Sequence, residues 1–182
     1  MMNNMTDTVK QLLILNILFF IGAQFVPQAT DLLALHYFES DKFQLWQPIS
    51  HMFMHGDLMH IFFNMFALVS FGSALEHFWG PKKFLFFYFS CGIGAALIHS
   101  GINYYYFHDG LNTLIANGFS KEEIINLINE GKFMTSWQAV LSPNTFENMI
   151  GALTPTVGAS GAIYGLLVAF AFMFPNAELA LM

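Results

Sequence analysis

The chain has 182 residues, of which 55% are hydrophobic and 10% charged, with 22 phenylalanines, 11 methionines and a formal net charge of −6. A soluble domain carries about 25% charged residues, so this composition excludes an ordinary water-soluble fold and indicates a single membrane domain. The basic residues are all lysines, too few and too scattered for the basic patch that nucleic acid requires.

Residues 1–10 are polar. Gln11 to Val26 is an apolar run between Lys10 and Pro27. It reads as a first span slightly shorter than usual rather than as a cleaved signal peptide, because its charged leader is thin and no A-x-A site precedes Pro27. Residues 27–56 form a long loop rich in leucine and aromatic residues, among them Leu45 and Trp46. They predict short helices lying at the membrane interface. Leu58 to Leu75 is a second span, closed by Glu76 and the turn Gly80-Pro81. Phe84 to about Asn103 is a third, with Gly92, Gly94 and Ala96 as small faces for helix packing. Cys91, the single cysteine, lies within it and reads as a small buried hydrophobe.

Residues 104–157 are more polar and read as an extracytoplasmic insertion. Ser120-Lys121-Glu122-Glu123 predicts a capped helix stopped by Gly131. Asp109 to Gly118 and Ser142 to Gly151 predict two more short helices, and Trp137 an interfacial anchor. A long, merely decorated loop is the alternative. Ala159 to Phe174 is a fourth span, ended by Pro175, with 176–182 as a connector. The expected fold is therefore all-α, a polytopic transmembrane bundle.

Lys10 and the Lys82-Lys83 pair fall on one side if each run crosses once. Lys42, Lys121 and Lys132 sit among acidic residues on the other. The positive-inside rule then makes the N-terminus cytoplasmic. The second and fourth spans both start outside, so His60 and Ser160 are expected at similar depth near the outer face.

Gly158-Ala159-Ser160-Gly161 places a serine between glycines at a helix start. There the free N–H groups and the helix dipole favour a developing oxyanion. The same glycines, with Gly165, also suit plain helix packing. His51, His55, His60 and Asn64 form a second polar group. His60 and Asn64 share a helix face, and both can donate hydrogen bonds. They could instead bond a neighbouring backbone, relay protons or, with the other histidines, hold zinc, although no H-E-x-x-H pattern occurs. The reading carried forward has neither metal nor cofactor. A transporter is a remote alternative, because the spans lack paired ionisable residues at mid-depth.

His51 to Asn64 followed by Gly72 to Glu76, and Gly158 to Gly161 with Tyr164, resemble the second and fourth transmembrane helices of rhomboid intramembrane serine proteases. The Trp46-Gln47 run in the first loop fits the same resemblance, which covers about residues 10–104 and 155–182. It implies a six-helix core, four spans of which are present here. Ser160 would be the nucleophile, and His60, Asn64 and the Ser160 N–H the oxyanion hole. His51, His55 and Glu76 would be structural hydrogen-bonders, and Tyr164 would pack on the catalytic histidine. The substrates would be transmembrane segments of other proteins in the lipid bilayer of a bacterial-type cell membrane. The family's catalytic histidine comes from a sixth helix, and no such helix is present in these 182 residues. The chain is therefore expected to be a truncated product, inactive as it stands; His99 as a substitute base is a remote alternative, since a lone histidine on a helix is more often structural. A non-catalytic relative that binds transmembrane segments is the alternative.

Overall fold

The computed structural model describes residues 5–176. Three of its helices are long and apolar enough to cross a membrane. The first is α1 (Asp7–Phe25). It begins a full turn before the apolar run, because a carboxylate from elsewhere meets its N-terminus. Glu76 accepts hydrogen bonds from the Thr8 and Val9 N–H groups and from the Thr6 hydroxyl. Those N–H groups would otherwise lack partners, and the negative charge suits that end of the helix dipole.

The first loop carries α2 (Gln28–Leu33) and α3 (Gln47–Ser50), the latter followed by a 3-10 turn at His51–Phe53. Gln47 is fully buried and organises the loop. Its amide donates to the Leu32 and Lys42 carbonyls and accepts from the His36 N–H. Leu45 stays exposed.

The second span comprises α4 (Leu58–Ala67), a π-helical turn at Leu68–Gly72 and α5 (Ser73–Trp79). Asp57 caps α4 by accepting from the His60 N–H at 2.8 Å, as an N-cap aspartate should. At the π turn, Gly72 packs against Val9, Leu68 and Phe84 so closely that a Cβ there would lie 3.2–3.3 Å from each.

The third span is α6 (Pro81–Ala116), with 36 residues. At 1.5 Å per residue it is about 54 Å long, far more than the ~30 Å hydrocarbon core. The expected end near Asn103 is therefore corrected: the helix continues unbroken, and Asp109 to Ala116 are its last turns. Phe107, Leu111 and Leu114 on this extension build a second core with Ile124 of α7 (Lys121–Asn129), Trp137 of α8 (Trp137–Val140) and Met149 of α9 (Pro143–Gly151). Residues 117–157 are thus a packed helical layer. Trp137 is fully buried in it rather than placed at an interface.

The fourth apolar helix is α10 (Ser160–Met173). Its 14 residues reach about 21 Å, less than a full crossing. It runs alongside the second span. Ser160 and His60 share one cleft at one end, Phe170 meets Phe71 lower down, and Phe174 meets Phe78 at the other end. It is pressed against α6, where Cβ atoms on Gly161 and Gly165 would lie 2.6 Å from Ala95 Cβ and 2.4 Å from Cys91 Sγ. The packing reading of these glycines therefore holds at Gly161 and Gly165. Cys91 is half-buried. Of the expected 176–182 connector, all but Asn176 lies outside the described residues.

Candidate active site

The backbone leading to Ser160 is held at several points. Leu35 and Thr156 exchange both N–H···O bonds at 2.9 Å, which ties the first loop to this segment. Two residues on, the Gly158 N–H donates to the His51 carbonyl at 2.9 Å. His51 is buried, and its Nδ1 donates to the Gln47 carbonyl, so the loop organised by Gln47 also positions the serine. Gly158 has φ +122°, a conformation that side chains rarely adopt, and a Cβ there would lie 2.6 Å from His60 Nε2 and 3.7 Å from Ser160 Oγ. Glycine is thus required twice, by the backbone and by the imidazole lying over it. Ser160 itself opens α10, with unpaired N–H groups at that end.

The opposing wall comes from α4. His60, Asn64 and Ser160 line one cleft of about 460 Å³, with Met59, Phe63, Ile163, Tyr164 and Leu167 as its apolar sides. The Gly56 N–H points at His60 Nδ1 at 3.5 Å. That contact favours the tautomer with Nδ1 as acceptor and Nε2 carrying the proton. His60 then presents a donor to the space beside Ser160. Asn64 Nδ2 donates to the His60 carbonyl at 3.0 Å, which fixes its amide and leaves its second N–H for the cleft.

His55 stacks edge-on against His60 with ring centroids 5.0 Å apart. Burial, with a second imidazole beside it disfavouring a proton, pushes its imidazole down to about 4, so it is neutral at pH 7. Burial also lowers His51. Glu76 lies at the far end of the second span, on the start of α1, and takes no part in the cleft. Tyr164 lines the cleft and is 69% exposed. His99 Nε2 is engaged by the Thr156 hydroxyl at 2.6 Å and by Asn103 at 3.0 Å, and it does not line the cleft. Among the described residues, Ser160 Oγ makes no hydrogen bond to an imidazole. Sequence reading missed Thr156 and the cap Asp57. An aspartate just before the apolar run of α4 was the available signal for the second.

An apolar helical bundle with a serine at a helix start, sharing a cleft with an imidazole and an amide, defines an integral membrane protein with a polar cleft between its helices. The family model for the Rhomboid domain matches residues 42–181, and the chain belongs to the rhomboid family. It is 30% identical over 146 residues to "Rhomboid-like protein 15" of Arabidopsis thaliana, covering 76% of this chain and 33% of that protein. It is 28% identical over 81 residues to "Rhomboid-like protease 3" of Toxoplasma gondii, covering 44% and 27%. To "Rhomboid protein 1, mitochondrial" of Saccharomyces cerevisiae it is 26% identical over 133 residues, covering 73% and 26%. The chain thus spans a third or less of the length of these relatives.

Proposed function

We propose that this protein is the core of an intramembrane serine endopeptidase that cleaves transmembrane segments of other membrane proteins through an acyl-enzyme. The observation that carries this reading is the single cleft in which Ser160 of α10 meets His60 and Asn64 of α4. Ser160 Oγ would attack the scissile carbonyl. The carbonyl oxygen, gaining charge, would be received by His60 Nε2–H, the Asn64 amide and the Ser160 N–H. Gly158 leaves room for His60 beside the serine, Gly161 lets α6 close in behind it, and His51 supports the loop; His55, expected as a hydrogen-bonder, instead packs edge-on against His60, its ring nitrogens without a partner among the described residues. Tyr164 would contact the incoming base. Serine needs that base within hydrogen-bond reach. None of the seven histidines is so placed, and His60 already has a donor's role. The base is assigned to an imidazole on the further helix that the family resemblance implies.

The domain runs through residues 1–182, with 104–157 as an extracytoplasmic insertion. The N-terminal end of α1 faces the cytoplasm, and the serine lies toward the outer side of a bacterial-type cell membrane. Contact of Glu76 with the start of α1 puts Lys10, Lys82 and Lys83 at one end of the bundle, which supports this orientation. Neither metal nor other cofactor enters the reading.

The test is a fluorophosphonate probe applied to the full gene product in bilayers. Labelling should depend on Ser160 and vanish in Ser160→Ala; labelling unchanged by that substitution refutes the nucleophile. The lack of an imidazole on Ser160 Oγ favours a second reading, a non-catalytic relative that holds transmembrane segments. That reading expects substrate association to survive Ser160→Ala, with no cleavage by the parent protein.

A further inference from the structure

A second cavity, about 740 Å³, is separate from the serine cleft and lies between the first loop and the helical layer on α6. Its size falls in the range of specific ligand sites. The floor is aromatic and aliphatic, with Phe107, Ile128 and Phe133. Phe107 is buried in the second core, whereas Phe133 is 48% exposed at the edge. The rim is acidic: Asp31, Glu39, Asp41 and Glu130 stand against Lys42 and Lys132. Lys132 is already paired to Glu130 at 2.7 Å. Glu39 is held by the Tyr37 hydroxyl and by His108, leaving Asp31 and Asp41 to face an occupant.

Thr154 and Pro155 complete the wall. Pro155 stands five residues before Ser160, and an extended chain spans at most about 17 Å over five residues. The bridge from Leu35 to Thr156 fixes the cavity relative to the serine.

Resting on the protease reading for its choice of occupant, we infer that this cavity is an exosite for a cationic, partly apolar juxtamembrane segment of the substrate. Lysine or arginine side chains of that segment lie against Asp31 and Asp41, and an apolar side chain lies on Phe133 and Ile128. The acidic rim disfavours phosphate groups, and with them lipid heads. A segment docked here and continuing into the bilayer passes the mouth of the Ser160 cleft.

The experiment uses the full gene product carrying Ser160→Ala in neutral phosphatidylcholine vesicles, with Phe133 replaced by p-benzoylphenylalanine for photo-crosslinking. The probes are two single-span peptides that differ only in outer tails of Lys/Leu or Glu/Leu. The Lys tail should crosslink about fivefold more than the Glu tail, the size of two exposed charge pairs. Asp31→Lys with Asp41→Lys should abolish the preference, and Asp31→Asn with Asp41→Asn should do so if the lysine pair misfolds. In the Ser160-containing enzyme the same substitutions should raise KM for the Lys-tailed peptide and leave its kcat unchanged. Equal yields for both tails, no crosslinks, or crosslinks to lipid alone would overturn the exosite. Cleavage with charge-blind crosslinking defeats this inference and leaves the protease reading intact. Charge-selective crosslinking without serine labelling does the reverse.

Discussion

The serine cleft and the outer helical layer are built by different rules. Around Ser160 the helices touch through glycine: a Cβ on Gly158, Gly161 or Gly165 would lie within 2.6 Å of a neighbouring side chain. Polar groups there are pinned one by one, from Gln47 through the His51 carbonyl to the Gly158 N–H. The outer layer packs as a water-soluble protein does, with Trp137, Leu114 and Met149 at its centre and helices capped by Ser120 and Ser142. The membrane region trades burial for geometry, because lipid is as apolar as leucine and gives helices little reason to associate except close fit. The outer layer has the hydrophobic effect to hold it.

Trp137→Ala should break that comparison most severely. Removing a fully buried indole costs about 3–5 kcal/mol. The layer over α6 should lose its melting transition, while probe labelling of Ser160 changes less than about tenfold. Thermal unfolding and labelling rate, measured on one preparation, check both halves. Next come His60→Ala and Asn64→Ala. Loss of one oxyanion donor lowers kcat by about 10²- to 10³-fold, and neither change should shift the melting of the outer layer. Gly158→Ala is smaller. Strain at φ +122° and displacement of His60 should cost about 1–3 kcal/mol, read as slower labelling with unchanged expression.

The smallest effect concerns the joint between the two regions. Burial raises Glu39, but hydrogen bonds from Tyr37 and His108 outweigh it and hold the carboxyl below its ordinary 4.5. A carboxylate with a lowered folded pKa stabilises above its unfolded pKa, and that contribution fades as pH falls through the folded one. The melting temperature should therefore decline below about pH 4.5, and Glu39→Gln should flatten that decline. The group is largely exposed, so the slope should be shallow and salt-sensitive.

Much of the membrane region could be read directly. Apolar runs of near-span length, Pro175 as a stop, and the i, i+4 pair His60 and Asn64 are local features, and locality is what a sequence displays. Depth matching between His60 and Ser160 followed from counting crossings, and the cleft joins them. The outer layer was harder. Asn103-Tyr104-Tyr105-Tyr106 looks like the end of a span because hydropathy falls there. The helix nevertheless continues, since Phe107, Leu111 and Leu114 find partners in α7 and α9. Trp137 looked interfacial for the same reason: its burial depends on chain that returns from elsewhere. The pairing of Leu35 with Thr156 joins segments far apart in sequence and leaves no local mark.

The most direct measurement is a structure of the full gene product after reaction with a fluorophosphonate. The adduct should sit on Ser160 Oγ, with its phosphoryl oxygen about 2.7–3.1 Å from His60 Nε2, Asn64 Nδ2 and the Ser160 N–H. A phosphorus bound to another residue, or an oxygen turned away from α4, would contradict the account.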